Sequence, residues 1–266
     1  MSRNHLSPPI FPYAWSSDWG QDQYGLWQAF NYKNVRYAFR WIPPGTFMMG
    51  DESEDSSKLS EKKRHVTLTQ GFWLGETTVT QSLWQVVMDD GPSKFEGEQL
   101  PVEQVSWNDC QAFVDVLKVL HPDLRVGFPT EAQWEYACRA GSKTAFHFGG
   151  KDDLTLDRVN YSGQWDNYNL DGATKAVKSL PCNDWGLYEM HGNVWEWCED
   201  VWQDNLDIVP VIDPVNKAED DTAGAGRVMR GGSWSDYGRY CRSAIRFRYG
   251  PAGRGSNVGF RLSLGR

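Results

Sequence analysis

Five cysteines and five histidines are the residues best suited to metal or nucleophile chemistry in this chain, and their spacing argues against both. Cys110, Cys138, Cys182, Cys198 and Cys241 form no CxxC pair, so neither a zinc knuckle nor a redox dithiol is written in the sequence. His5, His65, His121, His147 and His191 are scattered, with no HxxxH or HExxH step to put two imidazoles on one helical face. An odd cysteine count behind an N-terminus without an apolar leader predicts reduced thiols and, by default, a cytoplasmic chain.

The other chemistry is charge. From Arg227 to Arg266 stand nine arginines, no lysine and one acid, Asp236, giving +8 on a chain whose net charge is -8. Guanidinium forks on an acidic body have two uses, pairing with buried carboxylates or display toward a ligand, and the sequence leaves both open. A net-acidic chain whose basic segment lacks lysine does not predict a nucleic-acid partner.

These residues must be positioned by a fold, and 266 residues with 40% apolar and 23% charged side chains suffice for a globular core. No apolar run approaches the roughly 20 residues that span a bilayer, so membrane insertion is not expected. Thr80 predicts a cap for a helix through Leu83, Trp84, Val86 and Val87. Ser106 predicts another, with Trp107, Cys110, Phe113, Val114, Leu117 and Leu120 at helical spacing. Thr130 with Gln133 reads as a capping box, and Gly141 as the stop. The polar stretch 51–64 reads as a solvated loop. Strands are expected over VRYAFRWI, over HVTLTQGFWLGETTVTQ, and at 228–234 and 258–264, the last two bracketing the basic segment. No repeat or linker divides the chain, so one domain over 1–266 is expected.

The motifs FPTEAQWEYACRAG (128–141), WGLYEMHGNVWEWCED (185–200), RVMRGGSW (227–234) and NVGFRL (257–262) together resemble the formylglycine-generating enzyme (sulfatase-modifying factor) family, from about Trp41 to the C-terminus. The resemblance implies an α+β, C-type lectin-type fold: an antiparallel sheet, two main helices over 106–120 and 130–140, and much irregular structure. It implies three possible functions. The oxidase acts on a peptide cysteine and uses two cysteines after the GGS strand to hold copper(I). Here Cys241 stands alone and Asp236 occupies the first position, so neither copper nor a catalytic residue is expected. The ergothioneine-pathway branch carries a histidine-rich helical domain that this sequence lacks. The third branch, non-catalytic binding, fits best.

Within that branch, residues 234–262 are similar to the variable region of diversity-generating retroelement target proteins. In that pattern Trp234, Cys241, Arg242, Ser243, Ala244, Arg246, Pro251, Arg254, Gly259, Phe260 and Arg261 are the frame. The variable, ligand-binding positions are Ser235, Asp236, Tyr237, Gly238, Arg239, Tyr240, Ile245, Phe247, Arg248, Tyr249, Gly250, Gly253, Gly255, Ser256 and Asn257, which should lie accessible on one face. Composition agrees: codons ending in C or T cannot encode Lys, Glu, Gln, Met or Trp, and 235–266 contain none of the five, although 11 Lys and 14 Trp precede them. The implied partner is a protein or other macromolecule, with display on a virion or cell surface open; an undiversified accessory domain is the alternative. The family also implies structural calcium, at Glu189, Glu196 and the carbonyls of Gly192 and Val194, and at a second set formed by Asn160, the Tyr161 carbonyl, Asp171 and the Ala173 carbonyl. Pairing of Glu196 with a frame arginine is the competing expectation.

Overall fold

The computed structural model describes residues 6–51, 62–166, 171–217 and 225–265, so most of the loop expected at 51–64 lies outside the described residues. Helices form where the caps predict them. The Thr80 side chain accepts from the Leu83 amide to open α1 (Gln81–Met88). Ser106 with Asp109, and Thr130 with Gln133, build full capping boxes for α2 (Trp107–Leu120) and α3 (Glu131–Arg139). The last helix ends on Ala140, itself left-handed at φ 45°, one residue before the expected stop.

Strands β1 (Asp18–Asp22), β2 (Gly25–Tyr32) and β3 (Val35–Ile42) form an antiparallel meander, followed by β4 (Gly45–Met49), β5 (Arg64–Leu68), β6 (Phe72–Gly75) and β7 (Val126–Gly127). The second half holds β8 (Trp195–Val201), β9 (Val211–Ile212), β10 (Arg227–Arg230), β11 (Arg246–Tyr249), β12 (Val258–Phe260) and β13 (Ser263–Leu264). One sheet runs β1-β2-β3-β6-β13-β7, a second β11-β10-β8-β12 and a third β4-β5-β9. Because β13 inserts antiparallel between β6 and β7, the end of the chain is tied into the sheet begun by its first quarter. The six-stranded sheet is antiparallel throughout, as expected, while each smaller sheet holds one parallel pairing, β12 with β8 and β5 with β9.

Both expected C-terminal strands are shorter than the apolar pattern suggests. The strand at 228–234 stops at Arg230 because Gly231 and Gly232 turn the chain at φ 99° and 74°. The run at 258–264 divides into β12 and β13, with Arg261 between them turned into the interior. Thus β10 and β12 pin a segment whose middle, β11, is the outer edge of its sheet. Helix α2 buries Cys110, Phe113, Val114 and Leu117 in the larger core, and α3 buries Trp134, Ala137 and Cys138 in a second. Among the described residues no helix is long and apolar enough to cross a membrane.

Candidate ligand-binding face

The frame is held by buried guanidiniums. Arg261 meets Glu196 through two parallel bonds, Nε to Oε2 at 2.8 Å and Nη2 to Oε1 at 2.7 Å, and gives its other donors to the carbonyls of Gly75, Glu76 and Tyr188. Arg246 reaches Glu131, with Nη2 to Oε2 at 2.8 Å, and its guanidinium lies 4.5 Å from the Trp202 ring. Arg230 donates to Glu135 and to the Ile245 carbonyl, while Glu135 also accepts from Arg139 at 2.9 Å. Arg242 pairs with Asp51 at 2.8 Å. Burial would push the Glu131 carboxyl up, but Arg246 and Arg230 beside it hold it below the ordinary range. The structural use of the arginines that the sequence left open is therefore realised at these four. Removing one member of such a buried pair strands the other, at a cost of about 3–5 kcal/mol.

Between the frame residues the chain comes to the surface. After the Gly231-Gly232 turn, Trp195 Nε1 donates to Asp236 Oδ2 at 2.8 Å and Ser233 donates to the same oxygen. The Trp195 ring lies 5.4 Å from Phe247, so the floor of the face runs from Asp236 through Trp195 to β11. A single turn at Gly238–Cys241 sets Tyr237 and Tyr240 4.9 Å apart, with the Arg239 guanidinium 4.9 Å from the first ring and 5.3 Å from the second. On the edge strand, Phe247 and Tyr249 are 46% and 39% exposed, and Tyr249 stacks on Trp197 at 6.2 Å. Gly250 is exposed beside them. Gly253, Gly255, Ser256 and Asn257 are half-buried, and the Ser256 and Asn257 carbonyls accept from Trp234 Nε1 at 3.0 Å and the Trp195 amide at 2.8 Å.

Four of the expected display positions are instead buried. Asp236 is taken up by Trp195 and Ser233, and its carboxyl is pushed up by burial. Ser235 lies 3.2 Å from the Ser233 hydroxyl and accepts from Asn257 Nδ2 at 3.5 Å. Gly238 sits under Leu154, whose Cδ2 would be 2.4 Å from an added Cβ. Ile245 packs into the larger core. The other eleven are half-buried or exposed.

The exposed and half-exposed arginines also have body partners, which no motif or spacing identifies. Arg239 is 3.5 Å from Asp166, Arg248 is 3.3 Å from Asp204, and Arg254 grips Asp109 with two bonds of 2.7 Å. Such exposed pairs contribute about 0–1 kcal/mol and give way readily to a competing carboxylate. Trp202 and Asp204 flank the face from a loop about 30 residues before the segment begins, where no periodicity or motif marks them.

The one thiol in this segment is closed off from solvent. All five cysteines are free, and Cys241 is fully buried with its thiol pushed well up by burial and by the Asp236 charge. One protonated sulfur does not fit the two-thiolate copper(I) site of the oxidase.

Among the described residues no three acidic, histidine or cysteine side chains gather as metal ligands, so neither expected calcium set stands assembled through its side chains. Glu196 is saturated by Arg261 and by Trp134 Nε1 at 2.6 Å, the competing expectation for that residue. Glu189 differs: its buried carboxylate takes no hydrogen bond of good geometry and is pushed up to about 7 by burial, although the Lys178 and Leu180 amides temper the shift. An orphaned buried carboxylate fits a cation. In the second set Asn160 Nδ2 donates to the Ala173 carbonyl at 2.9 Å, whereas Asp171 stands exposed.

The sulfatase-modifying factor enzyme 1-like domain matches residues 31–264. The formylglycine-generating enzyme of Mus musculus is 35% identical over 230 residues, 80% of this chain and 58% of that protein, so the chain spans little more than half the length of this curated relative. Among solved structures, Treponema denticola variable protein 1 superposes with a TM-score of 0.75 at 26% identity, covering 90% of this chain and 98% of its own. PvdO from Pseudomonas aeruginosa gives the same score and identity over 85% and 93%. The α+β fold is the C-type lectin-type fold of these proteins, and the chain belongs to the sulfatase-modifying factor enzyme 1-like domain family.

Proposed function

We propose that this chain is a non-catalytic binding protein whose segment 234–262 presents a ligand-binding face rewritten by a diversity-generating retroelement. The observation that carries the proposal is the division of labour along the segment. Trp234, Arg242, Arg246 and Arg261 are buried, the three arginines paired, while Tyr237, Arg239, Tyr240, Phe247, Arg248, Tyr249 and Gly250 between them reach solvent. A rigid frame carrying exchangeable aromatic and arginine side chains is how paratopes combine stability with variation. The likeness to a protein named as variable supports the same reading. The ligand is a protein or other macromolecule, met through Tyr, Phe and Arg. Calcium belongs to the proposal as a structural ion at Glu189, with the Gly192 and Val194 carbonyls as further oxygens.

Identity with the mouse enzyme favours a second reading, oxidation of a peptide cysteine. Against it stands Cys241, single, buried and protonated. Sequencing the locus in many cells of one population decides between the two. The expected result is a nearby reverse transcriptase gene, an adenine-rich near-copy of the codons for 234–262, and variation at Phe247, Arg248 and Tyr249 beside constant Arg242, Arg246 and Arg261. Variation spread evenly over the gene, or copper-dependent conversion of a substrate cysteine by the protein, overturns the proposal.

A further inference from the structure

On the side of the molecule where β4 meets the C-terminal end of α3, a cavity of about 310 Å³ opens, and none of the variable positions lines it. Three aromatic residues wall it. Tyr136 lies 5.2 Å from Phe47 and meets Trp185 edge-on at 5.0 Å, so ring faces and edges converge on one apolar slot. The Tyr136 ring is fixed from behind by Gly45, where an added Cβ would come within 2.2 Å of the hydroxyl oxygen. Partial burial pushes the phenol up, so it remains a proton donor, and the hydroxyl makes no hydrogen bond among the described residues.

The charges around the slot are unequal. Arg139 on its wall is spent on Glu135 at 2.8 Å and on the carbonyls of Thr144 and Gly50, and Asp51 is paired with Arg242 at 2.8 Å. Lys63, which has a partner of its own, and Lys143 complete the charges of the wall; Lys143 is exposed at the rim and makes no ion pair among the described residues. The volume is at the small end of ligand cavities, roughly 300–1,000 Å³, which admits a molecule of one or two rings and excludes a folded peptide.

We propose that this cavity binds a small aromatic carboxylate, its ring against the wall formed by Phe47, Tyr136 and Trp185 and its carboxylate toward Lys143. The site is separate from the face at 234–262 and does not depend on the proposal made for it.

Saturation-transfer NMR and calorimetry on the full chain test this with indole-3-acetate, indole and tryptamine, which share a ring system and differ in charge. Indole-3-acetate should bind most tightly and tryptamine least. Lys143→Glu should raise the dissociation constant of indole-3-acetate by about fivefold or more and bring tryptamine level with it, as expected when an ion pair becomes a repulsion. Trp185→Leu should remove transfer to the ring protons, and Arg248→Glu on the other face should change nothing. Should Trp185→Leu fail to fold, the surface change at Lys143 still decides. No binding of indole-3-acetate at millimolar concentration, equal binding of tryptamine to the unaltered protein, or an unchanged dissociation constant in Lys143→Glu overturns the proposal.

Discussion

Arg261 and Glu196 face each other fork to fork inside the protein, at 2.7 and 2.8 Å, one from the link between β12 and β13 and the other from the central strand β8. The pair joins the end of the chain to the strand that also carries Trp195 and Trp197, the floor under the aromatic edge strand. Glu196→Gln should therefore cost about 3–5 kcal/mol of unfolding free energy, because a fully buried guanidinium loses its counter-charge. Urea denaturation measures it, and a loss under 1 kcal/mol contradicts the frame role.

Surface positions should behave oppositely. Replacing Phe247, Arg248 and Tyr249 together by serine should lower stability by no more than about 2 kcal/mol, since Arg248 is mostly solvated and the two rings lie on the outside of an edge strand with one face open. Trp234→Ala should cost about 3–5 kcal/mol, because the ring is buried against Phe95 and Gly172. Equal losses would remove the distinction between frame and display.

Asp200 predicts a pH dependence. Its carboxyl, almost wholly buried and close to Glu131, is pushed from the ordinary range to about 7. The folded protein then holds a proton that the unfolded chain has released, so this contribution to stability is fully present below about pH 4 and is lost as pH rises through about 7. Stability should fall by up to about 1.4 kcal/mol per pH unit across that window, and the fall should shrink in Asp200→Asn. An unchanged slope in the variant contradicts the assignment.

How much of this was legible in sequence follows from what each feature depends on. Helix starts were legible because Thr80, Ser106 and Thr130 carry the cap chemistry themselves. The β2–β3 hairpin was not read as one, because its turn places Lys33 and Asn34 at φ 45° and 68° without the glycine that usually marks it. Strand β8 escaped because nearly every side chain in it is buried, which erases alternation. In the candidate site the frame arginines and the edge aromatics were legible from the motif. The burial of Asp236 and Ile245 was not, since it depends on Trp195 and on a core assembled from distant segments.

Calcium should bind with Glu189 ionised, so its affinity should rise with pH through about 7, and saturating calcium should raise the melting temperature. Glu189→Gln should abolish that shift while retaining the fold. Differential scanning calorimetry with calcium and with chelator checks it; identical curves, or a shift preserved in the variant, exclude calcium at Glu189.

The central claim is the division of 234–262 into a fixed frame and a replaceable surface, and a saturation mutagenesis scan of that segment, read by resistance to proteolysis, tests it most directly. The account predicts broad tolerance at Tyr237, Arg239, Tyr240, Phe247, Arg248, Tyr249 and Gly250, with intolerance at Trp234, Asp236, Arg242, Ile245, Arg246 and Arg261. If Phe247, Arg248 and Tyr249 tolerate substitution no better than Trp234 and Arg246, the segment is ordinary scaffold and the account is wrong.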